Sequence, residues 1–147
     1  MNRTREDGYE VSDDPARLDL PRIAEFLRGA YWSTGVPAEV VARSIEHSLP
    51  FGLYAPDGAQ AGFARVTSDR AVFAYLGDVF VLPEHRGRGL GVWLVECVLA
   101  HPELQGLRRW YLATADAHEL YRRFGFREAP EPGRHMYLDR SPAELYG

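Results

Sequence analysis

Residues 76–91, with the sequence LGDVFVLPEHRGRGLG, constrain the fold of this chain more than any other stretch. They begin as an apolar β-type run that stops at Pro83, pass through a turn of alternating arginine and glycine, and lead into an amphipathic helical pattern from Leu90 to Val98. The first N–H groups of a helix have no partners inside the helix, and the peptide dipoles add partial positive charge there. A strand, a glycine-rich turn and a helix N-terminus in this order therefore predict an anion site.

The turn itself offers backbone freedom and charge. Gly87, Gly89 and Gly91 allow the main chain to approach a phosphate closely and to adopt positive φ angles. Arg86 and Arg88 add full positive charge. A solvated tight turn would account for a lone pair of glycines, but this pattern at a strand-to-helix junction favours a phosphate site.

Two common phosphate-binding loops do not fit this stretch. A P-loop requires G-x-x-x-x-G-K-[ST], whereas all 17 lysine-or-arginine positions of the chain are arginine. A dinucleotide fingerprint needs a third glycine where the chain has Val92, and it normally belongs to the first βαβ unit, whereas this turn lies past the middle of the chain. A nucleotide-binding protein is therefore disfavoured.

Composition narrows the class of protein. The 147 residues fit one domain, residues 1–147, with 46% hydrophobic and 26% charged residues. The net charge of −4 argues against non-specific nucleic-acid binding, which requires a basic face. No apolar run approaches the ~20 residues of a membrane span, and the polar N-terminus is not a signal peptide. We expect a cytoplasmic protein with no nucleic-acid or membrane partner.

Hydrophobic periodicity and turn signals predict the order β-α-α-β-β-β-α-β-α-β-β. The predicted strands lie at residues 9–11, 51–54, 60–67, 71–81, 109–113, 126–128 and 135–138. Residues 1–8 are expected to be loose, and Gly77 suggests a bulge or a close backbone approach in the long strand. The fold class is therefore α/β (α+β): a mixed, mostly antiparallel sheet of about seven strands with helices on both faces.

Arg86-x-x-Gly89-x-Gly91 resembles motif A, [QR]-x-x-G-x-[GA], of the GNAT superfamily of acyl-CoA-dependent N-acyltransferases. The predicted element order is similar to the GNAT topology, so the resemblance covers nearly the whole chain. It implies that acetyl-CoA is the co-substrate, that main-chain amides of residues 87–91 bind its diphosphate, and that no metal is needed. The strand before the loop would pair with the pantetheine arm through the main chain of Phe80 and Val81.

Residues 116–126, DAHELYRRFGF, resemble GNAT motif B, L-Y-x-x-x-G-F. In many family members its tyrosine lies beside the coenzyme sulfur, which maps this role onto Tyr121; the alternative is a core tyrosine with a satisfied hydroxyl. A phenol can stabilise or protonate the departing thiolate. The family often has an asparagine near the start of this helix, and Asp116 and His118 are only partial substitutes. Asp116 is otherwise the N-cap of a capping box with Glu119, and His118 is otherwise solvated.

The coenzyme-binding residues that the resemblance implies are Phe80, Val81, Arg86, Gly87, Arg88, Gly89, Leu90, Gly91, Asp116, His118 and Phe124.

The amine-binding side is less constrained. Asp78, in an apolar strand, is the predicted general base; the alternative is a carboxylate that bonds backbone N–H groups at a bulge. Tyr31 and Trp32 follow the first helix, where GNAT acceptor sites commonly gain a wall, and Phe73 and Tyr75 lie on the long strand. These four aromatic residues either line the acceptor site or belong to the core.

The sequence thus predicts an N-acetyltransferase that moves an acetyl group from acetyl-CoA to a primary amine, more readily of a small molecule than of a protein. Direct attack in a ternary complex is expected because Cys97, the one cysteine, falls on the apolar face of its helix and is predicted to be buried and inert. The alternative is a non-catalytic acyl-CoA-binding or partner-binding module on the same fold. A free sheet edge near the C-terminus is compatible with a homodimer.

Overall fold

The computed structural model describes all 147 residues and contains six strands and five α-helices. The strands are β1 (Asn2–Thr4), β2 (Glu10–Ser12), β3 (Leu49–Tyr54), β4 (Gln60–Ser68), β5 (Phe73–Val81) and β6 (Arg109–Tyr111). The helices are α1 (Leu20–Gly29), α2 (Ala38–Glu46), α3 (Leu90–Leu99), α4 (His118–Arg122) and α5 (Pro142–Tyr146). None of these helices has the length and apolar content needed to cross a lipid bilayer.

The six strands form one sheet in the order β1-β2-β3-β4-β5-β6. Every neighbouring pair is antiparallel except β5 and β6, which are parallel because α3 connects them by a crossover. The mixed, mostly antiparallel sheet is confirmed, and its helices lie on both faces as predicted.

The ends of the chain differ from the prediction. Residues 1–8 are not loose, because the Met1 amino group donates to Asp13 at 2.9 Å and β1 pairs with β2. The strands predicted at 126–128 and 135–138 do not form, whereas the unpredicted β1 does, so the sheet has six strands and not seven. The segment between these two predicted strands contains Pro130, Pro132 and Gly133. Proline has no N–H to donate, so the segment cannot form a continuous ladder of main-chain hydrogen bonds.

Two apolar layers cover the sheet. A cluster of 18 buried residues joins the sheet to α3, and a second cluster of 9 joins the opposite face to α1 and α2. Cys97 lies in the first cluster and is fully buried, and burial raises the pKa of its thiol to about 11. The structure therefore places Cys97 where the apolar helix pattern predicted it.

A bulge in β5 sets up the site. Phe80 is in register with Phe63 and Gly77 with Arg65, so two residues of β5, Asp78 and Val79, face a single residue of β4. Asp78 adopts the left-handed conformation, with φ of 53°. Gly77 correctly signalled a bulge, but the strained residue is the aspartate that follows it.

β5 and β6 separate before the bulge is reached. Their parallel pairing covers only residues 73–75 and 109–111, so the rest of β5 has no strand on that side. The gap opens towards the loop that precedes α3.

Candidate active site

The loop between β5 and α3 presents a run of unpaired main-chain amides. Trp93 is the first residue of this helix whose N–H donates within the chain, to the Gly89 carbonyl at 3.1 Å. The N–H groups of residues 87–92 donate to no main-chain or side-chain acceptor of the protein. Gly87 and Gly89 have φ of 81° and 72°, and Gly89 is the N-cap of α3 without a side-chain cap. Six consecutive free amides at a helix N-terminus fit a diphosphate.

These amides border a cavity of about 260 Å³. It is lined by Val81, His85, Arg86, Gly87, Gly89, Leu90, Gly91, Val92 and Leu120. The cavity therefore brings together six of the predicted coenzyme-binding residues from motif A and its preceding strand, with Leu120 from motif B opposite. Space for added atoms remains above Gly87 and Gly91, since a Cβ on either would meet nothing within 4 Å.

The arginines of the loop have different surroundings. The Arg86 Nε donates to the Val81 carbonyl at 2.9 Å, which holds the guanidinium along the end of β5. Arg88 is exposed and does not line the cavity. Arg86 is therefore the better placed of the two to add charge beside the amides.

Phe80 and Val81 present their main chains in opposite directions. The Leu82 N–H donates to Ala61 across the β4–β5 pair, so strand alternation turns the main-chain groups of Val81 away from β4 and those of Phe80 towards it. Val81 can thus meet an extended ligand through its amide, whereas Phe80 is committed to the sheet. The Phe80 ring stacks on Phe26 with centroids 3.9 Å apart, so its place is in the core.

Tyr121 is buried, with 8% of its surface exposed, and its ring packs edge-on against Phe126. Burial raises the pKa of its phenol to about 12, with smaller contributions from Tyr31 and Asp116. Its hydroxyl has no hydrogen-bond partner within the protein, and it is not fully enclosed by protein atoms. The phenol is therefore neutral at physiological pH and free to donate.

The other predicted coenzyme-binding residues of motif B, Asp116, His118 and Phe124, do not line the cavity. The prediction that Asp116 caps this helix is wrong: the helix begins at His118, its N-cap is Ala117, and the Ala117 N–H donates to Thr114 Oγ1 at 3.0 Å. Asp116 and His118 are both exposed. Phe124 is half-buried against the larger core cluster, so its packing holds α4 in place.

Asp78 lies at the centre of a side-chain network. Its Oδ2 accepts from Arg65 Nε and its Oδ1 from Trp32 Nε1, both at 2.9 Å, and the carboxylate does not bond backbone N–H groups as the alternative expected. Arg65 also donates to Ser48 Oγ at 3.0 Å. The left-handed backbone of Asp78 is thus compensated by an ion pair and an indole hydrogen bond.

The predicted acceptor-site aromatics form two groups. Tyr31 and Trp32 contact edge to face, and the Tyr31 hydroxyl accepts from the Ala115 N–H at 3.0 Å, so the α1–α2 loop reaches across to the segment before α4. Tyr75 stacks on Tyr111, with ring centroids 5.8 Å apart. Phe73 is 41% exposed at the start of β5, far along the strand from the bulge.

Arg5, a cation that lies beside the loop, was not predicted from the sequence. Arg5, from the turn between β1 and β2, lies over the Trp93 ring at 5.5 Å, and its Nη1 would be 4.0 Å from a Cβ placed on Gly89. Asp7 holds it through an ion pair of 2.6 Å. From the same hairpin, Tyr9 is hydrogen-bonded to His85 of the cavity wall at 2.8 Å. No local pattern signals these contacts, since they depend on the hairpin folding over α3.

Comparisons with known proteins agree with this geometry. Residues 50–128 match the family profile of the acetyltransferase (GNAT) domain. A putative acetyltransferase of Gibberella zeae is 34% identical in an alignment that covers 82% of this chain and 79% of that protein.

Solved structures share this fold. A putative GNAT-family acetyltransferase from Xanthomonas campestris superposes with a TM-score of 0.88 and 50% identity, over 91% of this chain and 94% of its own. N-acetylglutamate synthase from Neisseria gonorrhoeae, complexed with coenzyme A and N-acetyl-glutamate, superposes with a TM-score of 0.67 and 20% identity, over 88% of this chain and 32% of its own. The latter likeness is one of fold.

Proposed function

We propose that this chain, which belongs to the GNAT family and is an N-acetyltransferase, transfers an acetyl group from acetyl-CoA to a primary amine of a small molecule by direct attack in a ternary complex. The observation that carries the proposal is the run of free amides at residues 87–92, beside a cavity that is also lined by Val81, in the part of β5 that β6 does not pair with. The synthase from Neisseria gonorrhoeae, which has the same fold, binds coenzyme A.

In this proposal the loop amides and Arg86 bind the diphosphate, and the Val81 amide pairs with the pantetheine arm. The neutral amine attacks the thioester carbon, a C–N bond forms and the C–S bond breaks, and the electron pair leaves on sulfur. The nitrogen loses one proton to water and the thiolate gains one from water, which balances the reaction.

The pKa of Tyr121 decides what its hydroxyl contributes. A thiol has a reference pKa of about 8.5, whereas burial raises the pKa of Tyr121 to about 12. Complete proton transfer from this phenol to a thiolate is therefore unfavourable. Tyr121 would instead stabilise the departing sulfur by a hydrogen bond from a desolvated donor, the contribution that preorganised donors make in other acyl transfers.

Asp78 is better suited to position the acceptor wall than to act as a free base. Arg65 donates to one carboxylate oxygen and Trp32 to the other, so neither oxygen is left without a donor from the protein. The network fixes Trp32, whose exposed face then borders the space where the amine would enter. We therefore assign Asp78 a positioning role and leave deprotonation of the amine to water.

A hydrogen bond between two loops favours a small acceptor. The Ala115 N–H donates to the Tyr31 hydroxyl at 3.0 Å, which links the two loops that flank the expected thioester position. We expect this link to leave less room for a peptide than for a small amine.

The test measures acetyl-CoA turnover with a panel of primary amines, and the free thiol that is released is the readout. A panel of peptides that offer a lysine side chain or a free N-terminus is assayed in parallel. The proposal predicts turnover with at least one small amine and none with the peptides. Preferential turnover of peptides would contradict the acceptor class, and acetyl-CoA that fails to bind at high micromolar concentration would contradict the site itself.

A further inference from the structure

Arg5 lies beside the free amides of residues 87–92 but comes from outside motif A. It follows β1, in the turn of the β1–β2 hairpin, and its Nη1 would be 4.0 Å from a Cβ placed on Gly89. Its guanidinium carbon lies 5.5 Å from the centre of the Trp93 ring, one turn into α3. The coenzyme site proposed above uses the loop, β5 and α4, so it gives Arg5 no role.

The guanidinium of Arg5 keeps one nitrogen free. Its Nε donates to Asp7 Oδ1 at 3.0 Å, and its Nη2 donates to Asp7 Oδ2 at 2.6 Å. Nη1, which is the nitrogen nearest to Gly89, donates to no acceptor of the protein. Asp7 offsets the charge of Arg5, but the two N–H groups of Nη1 remain available to a ligand.

The hairpin holds Arg5 in this position. The Arg5 N–H donates to the Tyr9 carbonyl at 2.8 Å, so the main chain closes the turn without help from the guanidinium. Tyr9 is buried, and its hydroxyl is hydrogen-bonded to His85 of the cavity wall at 2.8 Å. The Arg5 guanidinium lies over the Tyr9 ring at 5.8 Å. An arginine held by an ion pair and two aromatic rings loses little side-chain freedom when it binds a ligand.

The position of Arg5 decides which phosphate it can reach. Coenzyme A carries a diphosphate between its pantetheine arm and its ribose, and a separate phosphate on the 3′-oxygen of the ribose. Val81, on the pantetheine side, lines the cavity beside the amides, whereas Arg5 does not border this cavity. Arg5 therefore lies outside the space assigned to the diphosphate, on the side of Gly89 and Trp93.

We propose that Arg5 binds the 3′-phosphate of the coenzyme, so that the enzyme distinguishes acetyl-CoA from its 3′-dephospho form. The inference rests on the proposed coenzyme site, in which the six free amides already supply donors to the diphosphate. A phosphate monoester carries a charge of about −1.5 to −2 at neutral pH, and its oxygens accept short, charge-assisted hydrogen bonds from a guanidinium. The free Nη1 of Arg5 supplies such donors.

Isothermal titration of the wild-type chain with acetyl-CoA and with 3′-dephospho-acetyl-CoA tests the proposal without any substitution. The Kd of the dephospho compound is expected to be higher by at least about tenfold. Equal Kd values would overturn the proposal and leave the coenzyme site intact. Failure of both compounds to bind would contradict the coenzyme site and this proposal with it.

The variant Arg5→Gln assigns the effect to one side chain. It should raise the Kd of acetyl-CoA by about tenfold and leave the Kd of the dephospho compound unchanged, which also shows that the variant is folded. Arg17→Gln is the matched control. Arg17 likewise pairs with a carboxylate, Glu10, at 2.6 Å and lies over an aromatic ring, Tyr54, at 4.3 Å, but it does not border the cavity. Both Kd values should stay unchanged in this control.

Two results with Arg5→Gln would overturn the proposal. An equal loss of affinity for the two compounds would show that Arg5 acts on the diphosphate or on the fold. A preference for acetyl-CoA that survives the substitution would assign the 3′-phosphate to another group.

Discussion

At the residue scale, Tyr121 combines a buried ring with a hydroxyl that no protein group occupies. Its neighbours Tyr31 and Asp116 add to a pKa that burial raises to about 12. The phenol is thus a permanent hydrogen-bond donor throughout the pH range in which an amine becomes a nucleophile.

Tyr121→Phe should lower kcat by about 100-fold, the usual cost of removing a donor from a developing anion, while the Kd of acetyl-CoA changes little. Tyr137→Phe is the control, because Tyr137 is 85% exposed and away from the site. Steady-state kinetics and calorimetry measure the two quantities. Unchanged kcat in Tyr121→Phe would show that the hydroxyl does not take part.

The raised pKa of Tyr121 also predicts a pH profile. As pH rises, more acceptor is present as free amine, and Tyr121 keeps its proton until pH approaches 12. The rate should therefore rise through the amine pKa and show no descending limb near the ordinary phenol pKa of about 10. A fall in kcat near pH 10 that Tyr121→Phe abolishes would contradict the protonated-donor role.

Asp78→Asn distinguishes positioning from base catalysis. If Asp78 holds Trp32 and Arg65 in place, the amide variant raises KM for the amine several-fold and leaves the shape of the kcat–pH profile unchanged. If Asp78 accepts the proton, kcat itself falls and the acidic limb of the profile moves or disappears. The control is Asp57→Asn, at an exposed turn remote from the cavity.

At the element scale, the order strand, loop and helix N-terminus was predictable because its signals are local. The three alternating glycines and the apolar face of α3 can be recognised from consecutive residues, without knowledge of any contact with a distant segment. The bulge at Asp78 was predictable only in part. Gly77 marked its position, but the ion pair with Arg65 that holds Asp78 depends on β4 lying beside β5. Arg5 could not be found, since its contact with α3 forms only through the hairpin.

Gly89→Ala tests the loop as an element. Gly89 has φ of 72°, so alanine costs about 1–2 kcal/mol of folding free energy, and its Cβ stands among the free amides. Gly58→Ala is a matched control, because Gly58 has φ of 90° with open space around it in the β3–β4 turn. Both variants should melt at lower temperature, but only Gly89→Ala should weaken acetyl-CoA binding, by about tenfold or more. Equal affinities in the two variants would exclude the loop from the site.

At the scale of the whole molecule, the two apolar layers of the sheet were predictable from periodicity, whereas its edges were not. An edge is decided by which segment finds a partner, and the prolines around residue 131 left HMYLDR without one although its composition is that of a strand. The same lack of a partner leaves Met136, Tyr137 and Leu138 exposed and β6 at the edge of the sheet.

Buried acids predict how the whole fold responds to alkali. Burial raises the pKa of Tyr54 and of Tyr121 to about 12 and that of Cys97 to about 11. Each group binds its proton more tightly in the folded state than in the unfolded one, so the folded state is favoured below the unfolded pKa and loses this advantage as pH rises towards the folded value. The melting temperature should fall between about pH 9 and 12, and Tyr121→Phe should reduce the slope. A flat melting temperature across that range would contradict the burial.

If the free amides of residues 87–92 bind the coenzyme, a titration of the ¹⁵N-labelled protein with acetyl-CoA will shift their resonances. The largest amide chemical-shift changes are expected at residues 87–92 and Val81, with smaller ones around Tyr121. Saturable binding that leaves these amides unshifted, or no binding at all, would contradict that role.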